Sequence, residues 1–166
     1  MEKRELPRLP QAQLYLKSAK WGFDELLNQR LNGYPFRFYL IGILASLRAV
    51  QHALKGHDRT LSVQHKRVID EWWEAARLEE PPELRFIRTS RDLILKEGAF
   101  PAVAGRSEVW SGEGSNRVVT DVIYDLMYQE AGEWRDLKEE IRGAMRWCDR
   151  ELSAMEAKLP PVYAPD

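Results

Sequence analysis

The sequence has a single cysteine, Cys148, and almost no excess of charge. One cysteine cannot form an internal disulfide, and it excludes a zinc site built from several thiolates. The 25 Lys and Arg residues nearly balance the 26 Asp and Glu residues, which leaves a net charge of −1. The chain as a whole therefore has no positive field that would hold a nucleic acid or an anionic membrane. A partner of that kind must be met by a local patch.

Long apolar runs are also absent. The longest uncharged run, residues 38–47, has ten residues, whereas a membrane-spanning helix needs about 20. The first ten residues mix both charge signs with two prolines and lack the apolar stretch of a secretory signal. We therefore expect a cytoplasmic protein that has no membrane partner.

The remaining composition is that of a folded domain. A length of 166 residues suits one domain. The 44% of hydrophobic and 31% of charged residues fit a globular protein with a real core rather than a disordered one. We predict one helical-bundle domain over 1–159 and a Pro-rich C-terminal tail over 160–166, because prolines cannot continue a helix.

The spacing of apolar residues predicts an all-α fold, a helical bundle of about five helices. Steps of three and four positions between apolar residues occur over 11–30, 36–55, 61–78, 82–96 and 134–159. The second of these segments is apolar around most of its circumference, and the last has a seam like that of a coiled coil. From the apolar excess of these two segments we predict a homodimer.

Between the fourth and fifth helical segments, glycines predict a loop or short hairpin insert near residues 98–116. Residues 117–128 are compatible with two structures. The spacing of their apolar residues fits a helix, whereas their many β-branched residues suit a strand. We favour the helix.

The fourth segment places an arginine, Arg91, on its apolar face. At about 100° per residue, Arg91 falls among the apolar positions, Arg88 lies at their border, and Asp92 and Lys96 lie on the opposite side. An unpaired buried guanidinium is very costly. Arg91 must therefore be paired, reach solvent, or point into a cleft or a subunit interface. A structural ion pair with Glu71, Glu74 or Asp92 is one interpretation, and a functional site is the other.

A largely apolar second helix, a helix with Trp72-Trp73, and a helix reading Arg91-Asp-x-x-x-Lys96-x-Gly98 follow one another in this chain. Over about residues 36–98 this order resembles the HEPN superfamily of small all-α domains. The signature of that superfamily is an arginine followed by a polar Asn or Asp and, four to six residues on, by a histidine. Arg91 and Asp92 match it, and Lys96 stands where the histidine would be.

The resemblance implies a metal-independent endoribonuclease, often a toxin or a phage-defence protein, whose site forms across a homodimer. Lys96 departs from this pattern, because an unperturbed lysine has a pKa of about 10.4 and can hold a phosphate but poorly replaces a general base. We therefore expect a HEPN-like protein that binds RNA or nucleotide phosphates through Arg91, Arg88 and Lys96, with Asp92 beside them, and that is a degenerate ribonuclease.

A second constellation is the pair Arg48 and His52, which are four residues apart and therefore neighbours on one helix face. Arg48 could stabilise charge on an RNA phosphate while His52 moves a proton. The alternative is a solvated edge of a buried helix. Across both constellations, catalytic roles fall to Arg91 and His52, and binding roles to Arg48, Arg88, Asp92 and Lys96.

No pattern points to a metal or a cofactor. His52, His57 and His65 lack the spacing of metal ligands, and no phosphate-binding glycine loop is present. Cys148 lies on the apolar seam of the last segment, where a small buried hydrophobe is the expected role. The alternative function is a non-catalytic structural or protein-interaction module with a protein partner, which the net charge of −1 favours.

Overall fold

The computed structural model describes residues 5–28, 34–97, 102–112, 114, 117–130 and 132–163. These residues form five α-helices and a 3₁₀ turn at Asp58–Thr60: α1 Pro10–Asn28, α2 Tyr34–Gly56, α3 Val63–Glu79, α4 Pro82–Glu97 and α5 Leu137–Glu156. The predicted helical bundle of about five helices is confirmed, and each helix lies close to its predicted segment.

Local signals set the helix ends. The hydroxyl oxygen of Ser62 accepts a hydrogen bond from the backbone N–H of His65 at 3.2 Å and so caps the start of α3. Glu80, the residue after that helix, has a left-handed φ of 40° and ends it. α4 begins at Pro82, a residue suited to a first helical position. The Asp136 carboxylate accepts from the backbone N–H of Lys138 at 2.8 Å, which starts α5.

The insert is a three-stranded antiparallel sheet with strands β2 Ala102–Ser111, β3 Val118–Glu130 and β4 Glu133–Asp136, in the order β2-β3-β4. The hairpin expected near residues 98–116 is present but extends to Asp136, and the helix favoured over 117–128 is wrong. β-Branched side chains have few rotamers in a helix and fit a pleated strand. Pairing with β2 along residues 118–128 stabilises the strand instead.

Two further short strands join the ends of the described chain. β1, Glu5–Leu6, pairs antiparallel with β5, Val162–Tyr163. The Pro-rich tail therefore includes two residues that pair with the beginning of the chain.

The hydrophobic core lies between the helices and against one face of β3. The buried seam of α5 and the residue after it consist of Leu137, Ile141, Ala144, Cys148, Leu152, Met155 and Leu159. Trp134, which we predicted to begin this seam, lies instead in β4 and is 55% exposed. Leu126 and Tyr128 of β3 are buried too, and the Tyr128 ring meets the Phe86 ring of α4 edge to face. α1 and α2 approach closely at Gly22, where a Cβ would lie 3.2 Å from a side-chain carbon of Ile43.

Two buried or half-buried carboxylates cap the start of α1 from distant parts of the chain. Asp58 is fully buried, and its oxygens accept from the backbone N–H groups of Gln11 at 3.2 Å and Ala12 at 2.9 Å. Glu156, at the end of α5, accepts from the backbone N–H groups of Arg8 and Leu9, both at 3.1 Å. Negative charge at a helix N-terminus also interacts favourably with the helix dipole.

His65 belongs to the same polar network and has a structural role. It is buried, its Nε2 lies 2.9 Å from the backbone oxygen of Arg8, and its Nδ1 lies 2.7 Å from the hydroxyl of Ser62. Because a carbonyl oxygen can only accept, we place the ring proton on Nε2. The Arg8 guanidinium donates to the backbone oxygens of Glu156 and Leu159 at 2.9 and 2.8 Å, which ties this network to the end of α5.

Replacement of Asp58 tests this network. We expect Asp58→Ala to lower the free energy of unfolding by about 3 kcal/mol, because two backbone donors lose a charged acceptor in the interior. Urea denaturation followed by circular dichroism measures the change. Asp24→Ala, on the exposed side of α1, serves as the control and should alter stability by less than about 0.5 kcal/mol. Equal losses in the two variants would contradict the capping role.

The thiol of Cys148 gives a second test of the core. Burial chiefly, and the nearby charges of Asp149 and Glu151 to a smaller extent, raise its pKa to about 12. Because the thiolate is the reactive form, we expect the folded protein to react very slowly with Ellman's reagent at about pH 8. One equivalent of thionitrobenzoate should be released after unfolding in urea, and a fast reaction of the native protein would show that α5 is not packed as described.

Candidate functional site

α4 carries the residues of the first predicted constellation. Leu84, Ile87 and Ser90 of this helix are buried. Arg91 follows Leu84 by seven positions and Ile87 by four, so the helix places its Cα on the same face. The side chains of Arg91 and Lys96 lie outside the described residues.

The other two members of this constellation differ in exposure. Arg88 is about half exposed, and its Nη1 lies 3.2 Å from Oε1 of Glu80, just before the helix. Asp92 is half-buried and takes part in a polar interaction of its own. An exposed ion pair such as Arg88–Glu80 contributes little stability, so an incoming phosphate could displace the carboxylate at small cost.

Two of the carboxylates considered as partners for Arg91 pair within their own helix. On α3, Arg67 lies 3.9 Å from Glu71, and Arg77 lies 2.9 Å from Glu74. All four side chains are well exposed. Glu71 and Glu74 therefore already have cations beside them on the surface of α3, while the predicted pair between Arg91 and a carboxylate stays a prediction.

The second constellation lies on α2, which packs against α4. Arg48 is half-buried, and its guanidinium donates to the side-chain oxygen of the buried Gln51. His52 is exposed one helical turn further on. The expected placement of Arg48 and His52 on neighbouring positions of one helix is thus present, with Arg48 half-buried beside Gln51 and His52 exposed.

The polar strip of α2 is basic and contains no acid, a feature that the sequence interpretation did not use. This 23-residue helix contains Arg37, Arg48, His52 and Lys55 but has no Asp or Glu. At about 100° per residue, positions 37, 48 and 55 fall within about 20° of one another and form what we call the basic row. The Nζ of Lys55 lies 3.6 Å from the ring centroid of Trp73, a cation–π contact that positions the ammonium group. The signal was present in the sequence as the absence of acids from one segment.

An apolar surface lies next to the basic row, and the sequence showed its composition but not which part of it is exposed. The face of α2 that we call the α2 stripe consists of Phe38, Ile41, Gly42, Ala45 and Ala49. Phe38 is 73% and Ile41 44% exposed, Gly42 and Ala45 are exposed, and Ala49 is half-buried. A helix this apolar is usually buried on several sides, but the described chain covers only the opposite face. The apolar seam of α5, by contrast, is buried in the core.

Metal ligands and membrane spans are not found in the described part of the chain. No group of three or more His, Cys, Asp or Glu side chains in the described ranges could hold a metal ion. Among the described helices, none is long and apolar enough to cross a bilayer. An open groove of about 610 Å³ lies along α1, with Pro7, Leu14, Lys17 and Glu156 among its lining residues. It contains none of the predicted site residues.

Comparison with protein-family models, with curated proteins and with solved structures gives no match to this chain.

Proposed function

We propose that this protein binds RNA or nucleotide phosphates on the surface formed by α2 and α4, as a HEPN-like domain with altered catalytic residues. The observation that carries the proposal is the absence of any carboxylate from α2. In a chain with a net charge of −1, a helix that holds three permanent cations and an exposed histidine creates a local positive field. Phosphate groups are the ligands that such a field attracts.

The two helices supply complementary contacts. The basic row on α2 offers the positive charges of Arg37, Arg48 and Lys55, while α4 adds Arg88 and Arg91 at one-turn spacing. Guanidinium groups bind phosphate oxygens with two parallel hydrogen bonds, which makes arginine the preferred residue for this purpose. A surface with several arginines on adjacent helices therefore suits a phosphodiester chain better than a single small anion.

Cleavage would depend on His52. Its exposed imidazole is the group on α2 that can exchange a proton near neutral pH. A lysine with the ordinary pKa is charged at that pH, so Lys96 is a poor replacement for a histidine. We propose that binding is the main activity. A weak, metal-independent ribonuclease activity remains beside it and depends on His52. From the same resemblance we propose a role in a toxin or phage-defence system. We place this activity in the cytoplasm.

RNA binding tests the proposal directly. The probe is a labelled, unstructured single-stranded RNA of about 16 nucleotides, and fluorescence anisotropy is measured at about 50 and 200 mM salt. We expect Arg37→Ala and Arg91→Ala each to weaken binding about tenfold, which corresponds to about 1.4 kcal/mol. Each variant should also reduce the slope of log affinity against log salt by about 0.7, the value for one lost contact to a single strand.

Matched variants control for folding and for unspecific charge effects. Arg77→Ala removes an exposed arginine of α3 that pairs with Glu74, and it should leave the affinity unchanged. Circular dichroism verifies that every variant folds. If residual cleavage is observed without metal, His52→Gln should abolish it while retaining most of the binding. Absence of RNA binding by the folded wild type at low salt would refute the proposal.

A non-catalytic interaction module is the second candidate function, and the exposure of large apolar side chains favours it. Phe38 and Ile41 are three positions apart on the α2 stripe and are exposed by 73% and 44%. Exposed apolar clusters commonly mark protein-binding surfaces. The homodimer predicted from the sequence belongs to this part of the proposal, because α2 has apolar surface that the described chain does not bury.

A further inference from the structure

We propose that the α2 stripe packs against the α2 stripe of a second copy, with the two helices antiparallel and their two-fold axis between positions 43 and 44. The inference deepens the homodimer of the proposed function and does not require RNA binding. It names the surface, the direction and the register of the contact.

The α2 stripe has the width and composition of a buried helix face. Its five residues span about 100° of the helix circumference, the width typical of a face that packs against another helix. Asp, Glu, Lys and Arg are absent from this sector, and the exposed His52 enters it one turn beyond Ala49. The exposed side of a surface helix is usually charged or polar. Phe38 nevertheless exposes 73% of its surface and Ile41 44%.

The distribution of side-chain size along the stripe argues for a second copy as the partner. The two large residues, Phe38 and Ile41, lie toward the start of α2, and the small residues Gly42, Ala45 and Ala49 follow. A Cβ added at Gly42 would meet nothing within 4 Å, so this part of the stripe is open. A two-fold interface must be complementary to itself, with each protrusion meeting a depression of the same surface.

An antiparallel arrangement satisfies this condition. With the axis between positions 43 and 44, Phe38 of one copy faces Ala49 of the other, and Gly42 faces Ala45. Small residues at the crossing allow the two helix axes to approach closely, and the large side chains pack at both ends of the contact. A parallel arrangement would instead place Phe38 against Phe38 and leave the small residues facing one another across a gap.

The basic row makes a second, independent prediction about direction. A two-fold axis perpendicular to antiparallel helices keeps the same edge of each helix on the same side of the interface. Arg37 of one copy then lies near Arg48 of the other. Because like charges adjoin and salt screens them, association should become tighter as the salt concentration rises. In the parallel arrangement the two rows lie on opposite sides, and salt should have little effect.

Molar mass measured against concentration tests the contact. One helix stripe is smaller than a standard interface of about 1,600 Å², so we expect micromolar dissociation. The molar mass of the wild type from light scattering should rise with concentration from 19.4 kDa toward twice that mass. Ala45→Glu should weaken association at least tenfold. Leu78→Ser is the matched control, because Leu78 of α3 is 81% exposed and lies outside the stripe; it should associate like the wild type.

Disulfide cross-linking tests the register. In Ala45→Cys the two new cysteines lie about 5 Å apart along the axis, whereas in His52→Cys they lie about 25 Å apart, from a rise of 1.5 Å per residue. Only Ala45→Cys should form a covalent dimer under mild oxidation, and the buried Cys148 keeps the wild type as an unreactive reference.

Each of these measurements can overturn the inference. A wild type that stays at 19.4 kDa at every concentration would exclude the dimer and leave the stripe to a different protein. Equal weakening by Leu78→Ser and Ala45→Glu would place the contact elsewhere. Cross-linking at both positions 45 and 52 would show a parallel dimer. Thermal melts that match the wild type verify that the variants fold, and RNA binding is measured separately, so a failure of either proposal is identified by its own assay.

Discussion

The structure depends on a single constraint, which is that α2 is apolar on nearly every side while the described part of the chain covers only part of it. α1 approaches α2 closely enough at Gly22 that a larger residue would press on Ile43, and α4 and α5 pack against other parts of its buried face. The core therefore forms around one face of α2. The opposite face, the α2 stripe, is left exposed because no described element lies over it.

Three acids on other elements have hydrogen-bond donors that lie outside α2. Asp58 and Glu156 cap the start of α1, and Asp70 of α3 binds Arg59 in a bidentate ion pair of 2.6 and 3.0 Å. The hydrogen bond from Arg59, and to a smaller extent that from Lys66, holds the pKa of Asp70 well below its ordinary value. Any stability from this carboxylate is present above the unfolded pKa of about 3.9 and is lost only as the pH falls toward the folded value. Asp58, Glu156 and Asp70 are thus bound by donors outside α2, and α2 itself contains no acid.

The sequence predicted the helices well because their apolar residues repeat at helical spacing, which is a local property. It failed for β3, where the apolar spacing suits both structures and the outcome depends on pairing with β2, the preceding strand of the hairpin. Capping of Ala12 by Asp58 joins residues 46 positions apart, and such contacts leave no trace in local patterns. At the candidate site, helix geometry alone placed Arg91 with Leu84 and Ile87, and paired Arg48 with His52. A helical wheel shows how much of α2 is apolar, but it cannot show which apolar sector the fold leaves uncovered.

The α2 stripe and the basic row lie side by side, so dimerisation and phosphate binding cannot be independent if both occur. An antiparallel dimer brings two like-charged rows to one side of the interface, and that repulsion opposes association. A phosphodiester chain lying along both rows would neutralise them and remove the penalty. RNA would then tighten the dimer, and thermodynamic reciprocity requires the dimer to bind RNA more tightly than the monomer by the same factor. A monomer that bound RNA as strongly as the dimer would mean that the two surfaces act separately, with α4 supplying the phosphate contacts.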